Sequence, residues 1–366
     1  MHQVVVIGGG VMGCMTALEL LQRGVHVTLI ERRQTGREAS WAGGGIVTPL
    51  YPWRYSQPVS ELAEWSQTHY PALCRDLLHH TGIDPQFSEC GLLWLDHAEQ
   101  DEALRWAREQ NKPITAVDAE FLYRQVPVLA PGFVGGMWQP GLANVRNPRL
   151  MAALKARLMQ FDGFSLLENN SVTDLKIVAG RVQGVVHAGG TLDADAVVLA
   201  AGAWSGDWLA RLGVELQVTP VKGQMLLYKA EPGWLPSIIL HGGRYAIPRR
   251  DGHILIGSTL EHAGYDTRTT QAALESLRAS AHTLLPALEY LQPVGQWAGL
   301  RPGSAEGVPF IGAIPQVAGL WVNAGHFRNG LVLAPASCRL LADLMTDTQP
   351  TLLAAPYRIE GRQTAI

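Results

Sequence analysis

Four consecutive apolar β-formers, Val4-Val5-Val6-Ile7, stand near the start of the chain with no polar position among them. Such a run is the pattern of a strand buried on both faces, because a half-exposed strand would alternate. The period then changes. Ala17, Leu18, Leu20 and Leu21 supply the apolar faces of a helix over 11–23, and Gly24 stands where a helix C-terminus favours glycine. Val25-His26-Val27-Thr28-Leu29-Ile30 is a second strand with Glu31 at its end. A β-α-β unit is therefore predicted here.

Buried runs recur at Ala196-Val197-Val198-Leu199-Ala200-Ala201-Gly202 and at Leu320-Trp321-Val322-Asn323, the second followed by a glycine-rich turn and an apolar helix over 331–345. Helical periodicity also covers 61–80 and 148–161. Short strands are predicted around Cys90-Gly91-Leu92-Leu93-Trp94-Leu95, Asn170-Ser171-Val172, 181–187 and across 217–260, where Arg250-Asp251-Gly252 marks a turn. Ala39-Ser40-Trp41-Ala42-Gly43-Gly44-Gly45 is a loop of small residues. Pro49-Leu50-Tyr51-Pro52-Trp53-Arg54-Tyr55 cannot be a regular helix, and is either a lid over a pocket or a surface loop.

At 366 residues the chain suits two joined domains better than one core. With 47% hydrophobic and 17% charged residues it can bury a large core, which excludes a disordered chain. The net charge of −3 and the lack of a dense Lys/Arg run give no footprint for nucleic acid or an anionic membrane. No apolar run approaches the roughly 20 residues of a spanning helix. The N-terminus has the apolar part of a signal peptide without a basic stretch or cleavage site, so a cytoplasmic protein is expected. Cys14, Cys74, Cys90 and Cys338 are scattered and read as packing thiols. His79-His80 are adjacent and face different ways, and His241, His253 and His262 lack helical ligand spacing, so no metal is expected.

Chemistry enters with Gly8-Gly9-Gly10-Val11-Met12-Gly13, in which Gly8, Gly10 and Gly13 form Gly-x-Gly-x-x-Gly between strand and helix. The first glycine permits the tight turn, the second lets the backbone approach a pyrophosphate, and the third lets helix and strand pack closely. The helix N-terminus then offers free N–H groups to the phosphates. Glu31 is placed to accept from a ribose hydroxyl, and an acid there disfavours a 2′-phosphate, leaving NAD or FAD. The strand ending at Gly202, the turn after Asn323 and the early glycine-rich loop favour FAD, since a backbone wrapped around a bulky cofactor needs glycine. Nucleotide-type strands at three places predict a discontinuous domain of residues 1–85, 146–216 and 299–366. A substrate domain of 86–145 and 217–298 is inserted into it.

Three stretches now carry a family resemblance along essentially the whole chain. Trp297-Ala298-Gly299-Leu300-Arg301-Pro302-Gly303, Pro309-Phe310-Ile311-Gly312 and Ala324-Gly325-His326-Phe327-Arg328-Asn329-Gly330 resemble the D-amino-acid oxidase–like flavoproteins, most closely the glycine oxidases of thiamine synthesis. Pro220-Val221-Lys222-Gly223-Gln224 and Tyr245-Ala246-Ile247-Pro248-Arg249 are supporting matches. The resemblance implies an α/β fold: a Rossmann-like FAD-binding domain with an inserted α+β substrate domain built on an antiparallel sheet.

It further implies that Arg301 holds a substrate carboxylate, that Tyr245 donates to the same group, and that Arg328 lies beside flavin and substrate. On the residues alone each keeps a lesser alternative: for Arg301 a structural pairing with Glu306 or an Asp, for Tyr245 packing, and for Arg328 the surface or a phosphate. Implied FAD contacts fall on Gly8, Gly10, Val11, Met12, Gly13, Glu31, Arg32, Ala39, Ser40, Gly44, Gly45, Ile46, Val172 and Gly202. They continue through His326, Phe327, Arg328, Asn329, Gly330, Leu331 and Val332, beneath the flavin. FAD is expected to be non-covalent, because the stretch from Arg301 to Gly312 has no cysteine. Gly243, Leu260 and Ile46 depart from bulkier family side chains, which puts substrate preference in question.

The implied reaction is oxidation of glycine, sarcosine or a small D-amino acid by hydride transfer to flavin N5, with dioxygen as acceptor. Its products are an oxo acid such as glyoxylate, ammonia and hydrogen peroxide. A homo-oligomer, a tetramer by resemblance, is implied as well. The competing readings are a D-amino-acid dehydrogenase that passes electrons to quinone, and a non-catalytic flavin-binding partner protein.

Overall fold

In the computed structural model, which describes residues 1–362, the strand Gln3–Ile7 lies at the centre of a sheet. Positions 363–366 of the third predicted segment lie outside the described residues. Gln3–Ile7 pairs in parallel with His26–Ile30 on one side and Ala196–Leu199 on the other. Phe164–Leu167 extends the sheet beyond His26–Ile30, and Leu320–Ala324 extends it beyond Ala196–Leu199, both in parallel. Phe310–Ala313 closes that second edge as an antiparallel strand. Val4, Val5 and Val6 are fully buried, as their unbroken apolar pattern requires.

The predicted helix over 11–23 is observed as Val11–Leu21, and Gly24 follows with φ +76°. It packs against the C-terminal helix Gly330–Met345. Helices are also found at Gln57–Thr81, with Pro58 in the tolerated first turn, and at Asn147–Leu158. Strand Phe164–Leu167 follows closer behind this last helix than the pattern suggested. Its Phe-Ser-Leu-Leu sequence is only half-buried at the sheet edge and carries no strong periodicity. Residues 172–193 form a separate three-stranded antiparallel sheet.

A larger, eight-stranded sheet runs Gly295–Gly303, Thr219–Lys229, His253–Gly257, Arg244–Pro248, Ile238–His241, Leu92–Trp94, Gly135–Gln139, Thr115–Asp118. It is antiparallel except where Leu92–Trp94 meets Ile238–His241, the junction between its early and late segments. The Arg250-Asp251-Gly252 turn joins Arg244–Pro248 to His253–Gly257, with Gly252 at φ +85°.

The two proline- and glycine-rich loops are more structured than expected. Ala39–Ala42 is a short helix and Pro52–Arg54 a single 3₁₀ turn. Tyr51 and Trp53 are buried, so the aromatic segment is not a solvated loop. Its tethers are Tyr51 Oη to Asp96 (3.0 Å), Trp53 Nε1 to Glu99 (2.6 Å) and Arg54 bidentate to Glu99 (2.6 and 2.5 Å).

Candidate active site

The glycine turn is closed too tightly for side chains. Gly8 has φ +109°, and a Cβ there would lie 2.4 Å from the carbonyl oxygen of Ala200 on the neighbouring strand. A Cβ on Gly13 would lie 1.8 Å from the Gly8 carbonyl oxygen, so Gly13 serves the packing of helix on strand and stands behind the cavity wall. The Val11 N–H donates to Ser40 Oγ (2.8 Å), which ties the helix N-terminus to the small-residue segment. Glu31 is buried and accepts from the N–H groups of Gly9 (2.7 Å) and Arg33 (2.9 Å), bracing the turn from behind.

Two chambers meet at this turn and share Gly10, Ala39, Ser40, Ala200 and Gly202. The first is lined by Gly8, Glu31, Arg32, Val172 and Trp204, among others. Arg32 stacks over the Trp204 ring at 3.6 Å, and Trp204 stacks in turn on Tyr265. The second chamber receives Val11, Met12, Gly44, Gly45 and Ile46 on one side, and His326, Phe327, Arg328, Gly330, Leu331 and Val332 on the other. Joined at the glycine turn, they make one elongated space that runs from Val172 and Trp204 to the turn at 326–332. A two-headed dinucleotide fits that shape.

The walls also lack partners that such a group would supply. His326 is buried with neither ring nitrogen bonded, and Asn147 Oδ1 and Asn323 Oδ1 are buried and unpaired as well, whereas Asn329, expected among the cofactor contacts, lines neither chamber. Each unsatisfied group costs about 1–3 kcal/mol. Burial lowers the His326 pKa from 6.5 to about 3, so its imidazole is neutral at working pH. Arg249 fixes the glycine-rich wall by donating to Asn144 Oδ1 (2.6 Å), Val145 O (2.8 Å) and Gly44 O (2.8 Å). Burial, with Arg146 adding to it, lowers its pKa to about 10. Among the described residues no cysteine lines either chamber.

Arg301 enters the second chamber from the strand Gly295–Gly303, opposite Val221. Its guanidinium lies across Gly223: a Cβ there would be 2.3 Å from both Nη atoms. Nη2 donates to Ser258 Oγ (2.6 Å) and Nη1 to Thr259 O (3.3 Å). No carboxylate pairs with it among the described residues, and Glu306 sits in an exposed turn, so the structural pairing left open by the sequence is not the one observed. Burial lowers the Arg301 pKa, Tyr245 opposes the shift and Arg328 adds to it.

Tyr245 is buried beside Arg301, its ring packed where Gly257 has no side chain. Its hydroxyl oxygen accepts from the Arg301 guanidinium, and its O–H finds the Met225 sulfur, at 3.4 Å, a weak acceptor that leaves it available to a ligand. Arg328 is exposed at the same chamber and has no side-chain partner among the described residues. Phe327 before it has φ +45°, an unfavourable conformation for an aromatic residue. Of the three departures, Ile46 lines the chamber; Gly243 instead donates to Tyr51 Oη (3.2 Å), and Leu260 is exposed.

Ser258, Met225, Trp204 and Arg249 were not assigned roles from sequence. Gly223 was legible in principle, since a lone glycine inside a strand marks a close approach.

The sequence profile of the FAD dependent oxidoreductase family, DAO, matches residues 3–344. The chain is 57% identical over 361 residues to a protein of Pseudomonas aeruginosa named glycine oxidase, covering 99% of each. It is 32% identical over 363 residues to a protein of Trichormus variabilis named bifunctional protein ThiO/ThiG, covering 97% of this chain and 54% of that one. It superposes on the crystal structure of glycine oxidase from Geobacillus kaustophilus with a TM-score of 0.92, at 32% identity and 99% coverage of both chains.

Proposed function

The chain belongs to the FAD-dependent oxidoreductase family, and on that premise we propose that it deaminates glycine oxidatively, together with small relatives such as sarcosine and D-alanine. The observation that carries this reading is Arg301, a guanidinium open to the second chamber with no acidic partner among the described residues. Of its five N–H donors some go to Ser258, Thr259 and the Tyr245 hydroxyl, and the rest are left for a carboxylate. Tyr245 supports the same role by offering its hydroxyl beside that edge. The FAD contacts are assigned to the glycine turn, Glu31, Arg32, Val172 and the 326–332 turn by their place around the two chambers.

When bound, FAD supplies a two-electron hydride acceptor that dioxygen reoxidises. The protein's own part is orientation. Arg301, held by Ser258 and Thr259, fixes the carboxylate and with it the direction of the α-carbon. Holding the reacting atoms in this way is worth several orders of magnitude in rate. No carboxylate lines the second chamber among the described residues, in keeping with a substrate that binds as the free amine and needs no acidic general base. The orphaned His326, Asn323 and Asn147 atoms suit a polar ring system.

Dioxygen as acceptor, a cytoplasmic location and a homotetramer belong to the same proposal and rest on resemblance. The joined ThiO/ThiG relative supports supply of the product to thiamine thiazole synthesis. Among the described residues no helix is long and apolar enough to cross a membrane. The test is stoichiometry under air: one dioxygen consumed and one glyoxylate, ammonia and hydrogen peroxide formed per glycine. Turnover that requires an added quinone would establish the dehydrogenase reading instead.

A further inference from the structure

Two of the groups that hold Arg301, Ser258 Oγ and the Thr259 carbonyl, belong to a stretch that soon turns out into water. They follow the strand His253–Gly257, and Leu260, His262, Ala263, Gly264 and Tyr265 beyond them are exposed. An exposed stretch is a poor ruler for a guanidinium that must meet a carboxylate within a fraction of an ångström. It is braced from behind, by the strand Thr219–Lys229. Gly223 and Met225 face the second chamber, so strand alternation turns Lys222 and Gln224 to the opposite face, where both are buried. Lys222 and Glu261 exchange both backbone hydrogen bonds, each 2.9 Å, which sets their side chains on one face. The Glu261 carboxylate accepts from Gln224 Nε2 (2.9 and 3.3 Å) and from the Thr259 hydroxyl. That hydroxyl in turn accepts from the Gln224 N–H (2.8 Å). Lys222 Nζ lies 3.9 Å from Glu261 and 3.9 Å from Asp266, so one buried ammonium reaches a carboxylate near each end of the stretch. Thr259 is thus the joint: its carbonyl faces Arg301 and its hydroxyl faces Glu261. Glu261 itself lines neither chamber.

We propose that Glu261 is a positioning residue for oxidation of the amino acid: seated on Lys222 and Gln224, it fixes Thr259 and so aims Arg301 at the substrate carboxylate. The inference rests on the reading of Arg301 as carboxylate anchor. Position and charge predict opposite effects here. By charge alone, removing Glu261 leaves the neighbourhood of Arg301 more positive and tightens the hold on an anion. By position, removing it frees Thr259, lets the guanidinium wander and weakens that hold. The sign of the change separates the two. Lys222 gives a second handle. In Glu261→Gln the amide keeps an oxygen for Thr259 and Gln224 but turns its NH₂ toward the Lys222 ammonium, which is left buried without its counter-charge. Lys222→Met removes that conflict with an unbranched apolar side chain.

The test titrates methoxyacetate, a redox-silent ether with the shape of sarcosine, into the FAD-loaded protein and reads the change in flavin absorbance. In Glu261→Ala its dissociation constant rises at least about fivefold, as weakening of one charge-assisted hydrogen bond requires, while FAD content is kept. Glu261→Gln weakens binding as well, and the double variant Lys222→Met with Glu261→Gln returns to within about twofold of wild type, the signature of a coupled pair. An unchanged constant in Glu261→Ala, whatever happens to Tm, overturns the proposal and leaves Glu261 a brace of the fold. A lower constant overturns it too, and makes Glu261 a charge that opposes the anion. If Glu261→Ala does not retain FAD, the comparison of Glu261→Gln with the double variant decides, and a double variant no better than Glu261→Gln refutes the Lys222 seat. Arg301→Lys is the control. Methoxyacetate bound as tightly by Arg301→Lys as by wild type sinks the anchor reading itself; binding lost there but kept in Glu261→Ala sinks only the role of Glu261.

Discussion

Replacing Gly223 with alanine strikes Arg301 first. The three nearest atoms to the new Cβ would all belong to the Arg301 guanidinium, at 2.3, 2.3 and 2.5 Å, where ordinary contacts begin near 3.4 Å. The guanidinium must therefore retreat by about 1 Å, away from its bonds to Ser258 and Thr259. The backbone does not object, because Gly223 lies in a strand with no positive φ. Alanine is even favoured over glycine in a strand by roughly 0.5–1 kcal/mol. A charge-assisted hydrogen bond contributes about 1.5–3 kcal/mol, or roughly 10- to 150-fold in affinity, and a 1 Å misplacement can cost about 100-fold in rate. Gly223→Ala should accordingly lower kcat/KM for glycine by roughly 10- to 150-fold, with FAD content unchanged and Tm unchanged or slightly higher. Steady-state oxygen uptake, the 450 nm absorbance per protein and a thermal melt measure the three quantities. A variant with wild-type kcat/KM would refute the placement of Arg301 as carboxylate anchor.

Three further outcomes follow from other parts of the site. Tyr245→Phe removes one neutral hydrogen bond of about 0.5–1.5 kcal/mol, so the KM for glycine rises roughly 2- to 12-fold; an unchanged KM would return Tyr245 to packing. Gly8→Ala places a Cβ 2.4 Å from the Ala200 carbonyl at φ +109°, and the purified variant should be pale, with a low 450 to 280 nm absorbance ratio. His326 has a folded pKa of about 3 against 6.5, so the unfolded chain takes up a proton that the folded one refuses. Its contribution is intact above pH 6.5 and is lost as pH falls toward 3, about 2 kcal/mol between pH 7 and pH 5. Urea unfolding of the apoprotein at both values should show that loss in the wild type and a smaller one in His326→Asn.

The elements that were legible in sequence are those with a single strong local cause. Val4–Ile7 and the run from Ala196 to Leu199 are buried on both faces and contain nothing polar, and the Gly8, Gly10 and Gly13 spacing has one physical use. The catalytic half was legible only through resemblance, because Arg301, Tyr245 and Arg328 are isolated letters with no pattern of their own. Pairing across the large sheet brings Arg301 and Tyr245 together, where Gly223 lies under Arg301 and Gly257 under Tyr245, and Arg328 arrives from the turn after Leu320–Ala324 in the other sheet. No local window of sequence carries that information. The same holds for Phe164–Leu167, a strand made by a neighbour's edge, and for Tyr51 and Trp53, whose burial depends on Asp96 and Glu99.

The central claim is that Arg301 anchors a small amino acid against a bound flavin, and anaerobic reduction tests it without reference to the electron acceptor. Glycine added without oxygen to the purified, FAD-loaded protein should bleach the 450 nm band completely, with a saturating dependence on concentration that Gly223→Ala weakens. A flavin that stays oxidised in the presence of glycine, sarcosine and D-alanine alike, with FAD still bound, would contradict the account.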